Sequence, residues 1–214
     1  MTLKVDANTS KPKRRSREAT EVNILKAAED VFAQYGYHGT AINTIADKVG
    51  LSKQNMLYYF PSKEVLYQRV LENVLNKWLE KMALLEQEGD DPKTMMTNYI
   101  RGKIDLSRVH PNGSKVFANE IISGAPRLKN YMKTHLVPQL EADVQLIRQW
   151  ISEGKMDPID PYHLFFVIWS STQTYADFST QIELVLNKPK LAEQDYDKAS
   201  EFLIHLVLKG TGIH

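Results

Sequence analysis

The sequence predicts an all-α protein in two parts. A small N-terminal three-helix unit holds a helix-turn-helix, and a larger helical domain follows, making about nine helices. Three observations carry this reading. Apolar residues recur at three- and four-residue spacing in nearly every segment, and no convincing alternating strand interrupts them. Ser, Asp, Pro and Gly fall where helices start and stop. The 214 residues contain no cysteine, which removes disulfides, thiolate zinc sites and cysteine nucleophiles together.

The elements follow in order. Val22, Leu25, Ala28, Val31, Phe32 and Tyr35 give one apolar face to a helix from about Arg17 to Tyr35, with Gly36 as its stop. Thr40 is the expected N-cap of a short helix from Ala41 to Val49. Gly50 marks a tight turn, Ser52 caps a third helix ending near Phe60, and Pro61 prevents its continuation. Ser62 caps a fourth helix running to about Glu88. Asp91-Pro92 starts a fifth, which reaches Val109. "HPNGS", residues 110–114, reads as a loop before a helix from Lys115 to Ser123. The next helix reaches Gly154 and is bent at Pro138. Asp160-Pro161 starts a long helix to about Leu186, and a last one covers Glu193 to Lys209. The domain limits expected are a basic disordered tail over 1–17, a helix-turn-helix domain over 18–62 and the larger domain over 63–214.

Apolar residues make up 43% and charged residues 25%, enough for a packed core. The net charge of +1 hides an asymmetry. Residues 1–20 hold six basic and two acidic side chains, a net +4, which leaves −3 for the rest. Such a tail is either a solvated terminus or a nucleic-acid arm. The longest uncharged stretch, Pro161 to Ala176, is too short and too polar for a bilayer span. With no apolar leader visible, a cytoplasmic protein without membrane association is expected.

In a helix-turn-helix the second short helix enters the major groove, and its early residues meet base edges. Here those residues are Lys53, Gln54 and Asn55. Lysine donates to guanine O6 and N7, while Gln and Asn pair with adenine N6 and N7. The same run also suits an ordinary solvated helix face. Tyr58 and Tyr59 offer hydroxyls to phosphate, and Lys63 sits at a helix N-terminus that favours an anion.

"AAEDVFAQYGYHGTAINTIADKVGLSKQNMLYYFPSKEVL", Ala27 to Leu66, resembles the DNA-binding domain of the TetR family of bacterial repressors. The resemblance implies a homodimer on a palindromic double-stranded operator, with a larger ligand-binding and dimerisation domain. It also implies DNA contacts by Thr40, Lys53, Gln54, Asn55, Tyr58, Tyr59 and Lys63. The recognition helix departs from the commonest pattern, which has a small residue near Gln54 and a histidine near Tyr59, so the operator sequence stays open.

"EIISGAPRL" and "DPIDPYHLFFVIWSSTQTYADF" resemble the pyrimidine-utilisation regulators of that family, which implies uracil or thymine as effector. Trp169 and Gln173 are four apart and share a helix face, with Ala176 leaving room beside them. A glutamine amide complements the N–H and C=O edge of a pyrimidine, and Trp169 could wall the flat ring. By spacing alone, a core tryptophan beside a glutamine satisfied by backbone is the more ordinary reading of the pair. Trp78 is implied by the resemblance as a further pocket wall. Dimerisation is expected on Phe165, Ile168, Thr172 and Tyr175, and on Phe202, His205, Leu206 and Lys209. Alternatives are a family member sensing a different small molecule and a ligand-independent DNA-binding protein. No zinc-spaced histidine pair, nucleophile elbow or phosphate loop occurs, so neither enzyme, metal nor cofactor is expected.

Overall fold

The computed structural model describes residues 11–86 and 91–213, and these form helices and turns with no strand among them. Contacts divide the chain into two compact units, Met1–Val70 and Leu71–His214.

In the first unit α1 (Lys11–Gly39) is interrupted at Gly36, whose backbone (φ 68, ψ 175) is non-helical. Glycine adopts this conformation without the Cβ penalty, which is why the helix stops where expected. Its start differs. Residues 11–17, expected within a disordered tail, are helical backbone, because Lys and Arg are good helix formers and no glycine interrupts the run. Residues 1–10 of the expected tail lie outside the described residues.

α2 (Ile42–Lys48) and α3 (Lys53–Tyr59) meet across a turn in which Gly50 has φ 70 and the Leu51 N–H donates to the Ala46 carbonyl at 2.9 Å. The Ser52 hydroxyl accepts the Asn55 N–H at 3.1 Å, the expected cap. Thr40 does not cap α2. The N-cap is Ala41, and the Thr40 hydroxyl turns back to donate to the Gly36 carbonyl at 2.7 Å, sealing the kink. Ile24, Phe32, Ile45, Met56 and Leu66 form the core, with Tyr67 edge-on to Phe32 at 4.8 Å.

α4 (Lys63–Met82) is one uninterrupted helix whose residues from Leu71 onward belong to the second unit. A 3₁₀ turn, Ala83–Glu86, follows it. α5 (Pro92–Val109) packs against α9 (Pro161–Asp177) and α11 (Glu193–Gly210), burying Met96, Tyr99, Ile100 and Ile104. Asp91 and Asp160 cap α5 and α9, each just ahead of a proline, as the sequence suggests. The buried Ser107 hydroxyl ties α5 to α9 by donating to the Thr172 carbonyl at 2.9 Å.

Three local expectations are corrected, and the irregularity expected at Pro138 is given its form. α6 (Pro111–Ile122) takes up the expected 110–114 loop. Pro111 occupies its first turn, where a missing N–H costs nothing, and Gly113 is buried there. The helix bent at Pro138 is α7 (Lys129–Tyr131), a π-turn over Met132–Leu136 and α8 (Val137–Ser152) in succession. The Val137 N–H reaches back five residues to the Met132 carbonyl, widening the turn ahead of the proline ring. The helix expected over 161–186 breaks at Phe178 (φ −115, ψ 27), and α10 (Ser179–Val185) continues separately. Phe165, Ile168 and Thr172, expected on a dimerisation face, are at most 2% exposed and fill the core instead. They lie on the side of α9 that meets α5. Phe166 and Val167 of α9 are exposed, as are Phe202, His205, Leu206 and Lys209 of α11.

Candidate functional site

Lys53, Gln54 and Asn55 form the first turn of α3, and all three are exposed. Met56 is fully buried one position later, so core packing fixes the rotation of α3 and leaves the polar trio outward. Tyr58 is 68% exposed and meets Tyr59 edge to face at 5.3 Å. The Arg17 guanidinium lies 5.3 Å from the Tyr58 ring centre and 6.0 Å from that of Tyr59, anchored by Glu21 at 3.0 Å. The cation on α1 therefore joins the tyrosines of α3. The sequence showed Arg17 only as part of a basic run.

Two of the residues expected at DNA also make contacts within the fold. Thr40 is 3% exposed, with its hydroxyl committed as described above. The Lys63 ammonium donates to the carbonyls of Tyr37 at 2.8 Å and Thr40 at 3.0 Å, and lies 4.6 Å from the Tyr37 ring centre. Lys63 thus clasps the kinked end of α1 to α4, and at most one of its three donors is left for a phosphate.

In the second unit a cavity of about 430 Å³ is walled by α4, α5, α6, the π-turn and α9. Trp78, Trp169 and Gln173 all line it. The Trp169 N–H donates to the buried Tyr99 hydroxyl at 2.8 Å, so this indole offers the cavity its ring and not its donor. Trp78 packs edge-on against Phe117 at 4.4 Å. Among the described residues the Gln173 amide makes no protein hydrogen bond, leaving its donor and acceptor available. Ala176 is buried away from the cavity, and Ser170, Thr174 and Asp177 line it instead.

Two charged residues that sequence reasoning missed face the same space. The Lys103 ammonium sits 4.4 Å from the Trp78 ring centre and is 3% exposed. Burial brings its pKa down to about 7, opposed by the charge of Asp177. Burial pushes the Asp177 carboxyl upward, countered by the Ser114 hydroxyl at 2.6 Å and by Lys115 and Lys103. The signal was present. Lys103 lies four residues after Tyr99 and four before Ser107 on the buried stripe of α5, and Asp177 lies four after Gln173. No group of three or more His, Asp or Glu suited to a metal occurs among the described residues. None of the described helices is long and apolar enough to cross a membrane.

Comparison with known proteins bears on both sites. Residues 24–70 match the family model "Bacterial regulatory proteins, tetR family", and residues 71–214 match "YcdC-like protein, C-terminal region". The HTH-type transcriptional regulator RutR of Escherichia coli K12 is 39% identical over 202 residues, spanning 94% of this chain and 95% of that protein. The repressor NicS of Pseudomonas putida is 32% identical over 103 residues, 48% of this chain and 49% of its own length. Among solved structures, the ketosteroid regulator KstR2 of Mycobacterium tuberculosis superposes with a TM-score of 0.70 at 19% identity, covering 89% of this chain and 94% of its own. AibR, solved with isovaleryl coenzyme A and operator DNA, gives 0.69 at 14% identity over 87% and 97%. At such identities the likeness is one of fold.

Proposed function

Because the chain belongs to the TetR family of bacterial regulatory proteins, we propose that it is a repressor released from a palindromic operator by uracil or thymine. It is a DNA-binding transcriptional regulator and not an enzyme, as its relatives are regulators across both units. The observation that carries the effector reading is the convergence of Trp78, Trp169 and Gln173 on one cavity. Two indoles suit a flat ring, and a glutamine amide without a protein partner suits the adjacent N–H and C=O of a pyrimidine edge. The likeness of the α9 sequence to pyrimidine-responsive regulators supports the same ligand.

Release follows from linkage. A ligand shifts the protein toward the arrangement it binds better, by no more than its difference in affinity for the two. α4 carries Lys63 at one end and Trp78 near the other, so the helix that walls the cavity is also the helix clasped to the DNA-binding unit. In this reading α4, continuous from Lys63 to Met82, is the element through which effector binding alters operator affinity.

Titration of a labelled operator complex with uracil tests this reading. Dissociation at micromolar to millimolar uracil is expected, and persistence of the complex through that range would overturn it. One observation favours a second reading, a larger and more apolar effector. The cavity falls in the range for drug-sized ligands, roughly 300–1,000 Å³, and Leu75, Met82, Phe117, Ile121 and Leu136 line much of it. Binding of such a molecule in preference to uracil would establish that alternative.

A further inference from the structure

We infer that Lys103 holds the effector by donating from its ammonium to a ring carbonyl oxygen, so that the pocket binds the neutral ring together with a proton. This rests on the pyrimidine reading above and adds to it a binding residue and a linked ion.

Geometry carries the inference. Lys103 is 3% exposed and lines the cavity, and its ammonium rests on the Trp78 ring at 4.4 Å. Among the described residues its ammonium makes no salt bridge and no hydrogen bond, the one side-chain bond at this residue being that of the Ser107 hydroxyl to the Lys103 backbone carbonyl. An ammonium has three donors and no acceptor, and a buried charge is costly until those donors are satisfied. One aromatic face satisfies part of that demand. The rest opens onto the cavity, where the matching group is an electron-rich oxygen.

The surroundings explain why a proton is linked. Trp78 comes from α4, and so does Lys81, which packs against the neighbouring Gly102. Asp177 on α9 lines the same cavity and its charge acts on Lys103, and it is itself held by Ser114 with Lys115 nearby on α6. Tyr99 lies one turn earlier on α5, and its hydroxyl is taken by Trp169. Desolvation by these walls outweighs Asp177, so at neutral pH the empty pocket holds a mixture of amine and ammonium. A carbonyl oxygen selects the ammonium. An amine that was neutral takes one proton from the buffer as the ring enters, and no covalent bond of the ligand changes.

Calorimetric titration of the full-length protein with uracil, in two buffers of different ionisation enthalpy, provides the test. Wild type should take up a fraction of a proton per site above neutrality. Its dissociation constant should rise by about tenfold per pH unit between about pH 7.5 and 8.5. Lys103→Met should bind uracil roughly 10–100-fold more weakly, the loss for a hydrogen bond from a charged donor, with no proton uptake and operator binding intact. Lys103→Gln keeps donors without charge and should bind with intermediate strength, independently of pH. Equal heats in both buffers for wild type, or unchanged uracil binding by Lys103→Met, would overturn the inference while leaving the effector reading in place. Failure of wild type to bind uracil or thymine would overturn both.

Discussion

Below about pH 7 Lys103 carries its proton whether the chain is folded or unfolded, so its burial penalty is fully present there. Between about 7 and the unfolded value of 10.5 the folded chain has lost the proton and the unfolded chain keeps it, so stability from this group rises with pH. Lys103→Met without ligand is therefore expected to be more stable than wild type near pH 6, because it removes a buried charge whose donors lack partners. The gap should narrow by pH 9, and melting curves of the two proteins across that interval check it. Gln173→Ala should leave one ligand edge unpaired at a cost of about 1–3 kcal/mol, shifting the uracil dose needed for release but not operator affinity. On α3, Gln54→Ala and Asn55→Ala should each cost about 1–3 kcal/mol at particular base pairs and little on random DNA. Lys63→Ala should behave differently, because two carbonyls lose their donor. A loss of about 1–3 kcal/mol of fold stability is expected, visible as a lower melting temperature in the absence of DNA. An unchanged melt with a reduced salt slope would show that Lys63 acts chiefly as a phosphate contact.

At the scale of elements, what was legible and what was not divides by the range of the cause. The stop at Gly36, the Gly50 turn, the Ser52 cap and the two Asp-Pro starts depend on the chemistry of a few consecutive residues, and all were readable. The break at Phe178, the π-turn and the start of α6 depend on how one helix meets others, which spacing alone does not encode. The pocket follows the same division. Trp169 and Gln173 are visible as a one-helix pair, whereas Lys103 needs α4 and α9 to bury it, and alone it reads as a surface charge. Thr40 shows the opposite failure, since a residue type suited to capping was used one turn back to close a kink. Two element-level outcomes are expected. Gly50→Ala should cost about 1–2 kcal/mol, because φ 70 is unfavourable for a residue with a Cβ, and chemical denaturation measures it. Removal of residues 1–17 takes away the basic start of α1 together with the Arg17 partner of Tyr58, so the dependence of operator affinity on salt should flatten.

For the whole molecule, pairing of two copies is typical of the family, and Phe202 and Leu206 are exposed apolar residues on α11. Phe202→Glu should shift the protein toward monomer in light scattering and, with one half-site engaged at a time, weaken binding to a palindrome far more than to a single half-site. The placement of the indoles has a different consequence, an optical one. Of the three tryptophans, Trp78 and Trp169 wall the cavity, while Trp150 is sealed in the core. Two emitters therefore face whatever enters and the third does not, which makes unlabelled protein its own fluorimeter. Occupancy should register as a change in intrinsic emission superimposed on a constant background from Trp150, and Trp78→Phe and Trp169→Phe should each remove part of the signal. Entry rates then become accessible to stopped-flow detection without attaching a dye, on a chain whose lack of cysteine would otherwise require a labelling site to be engineered.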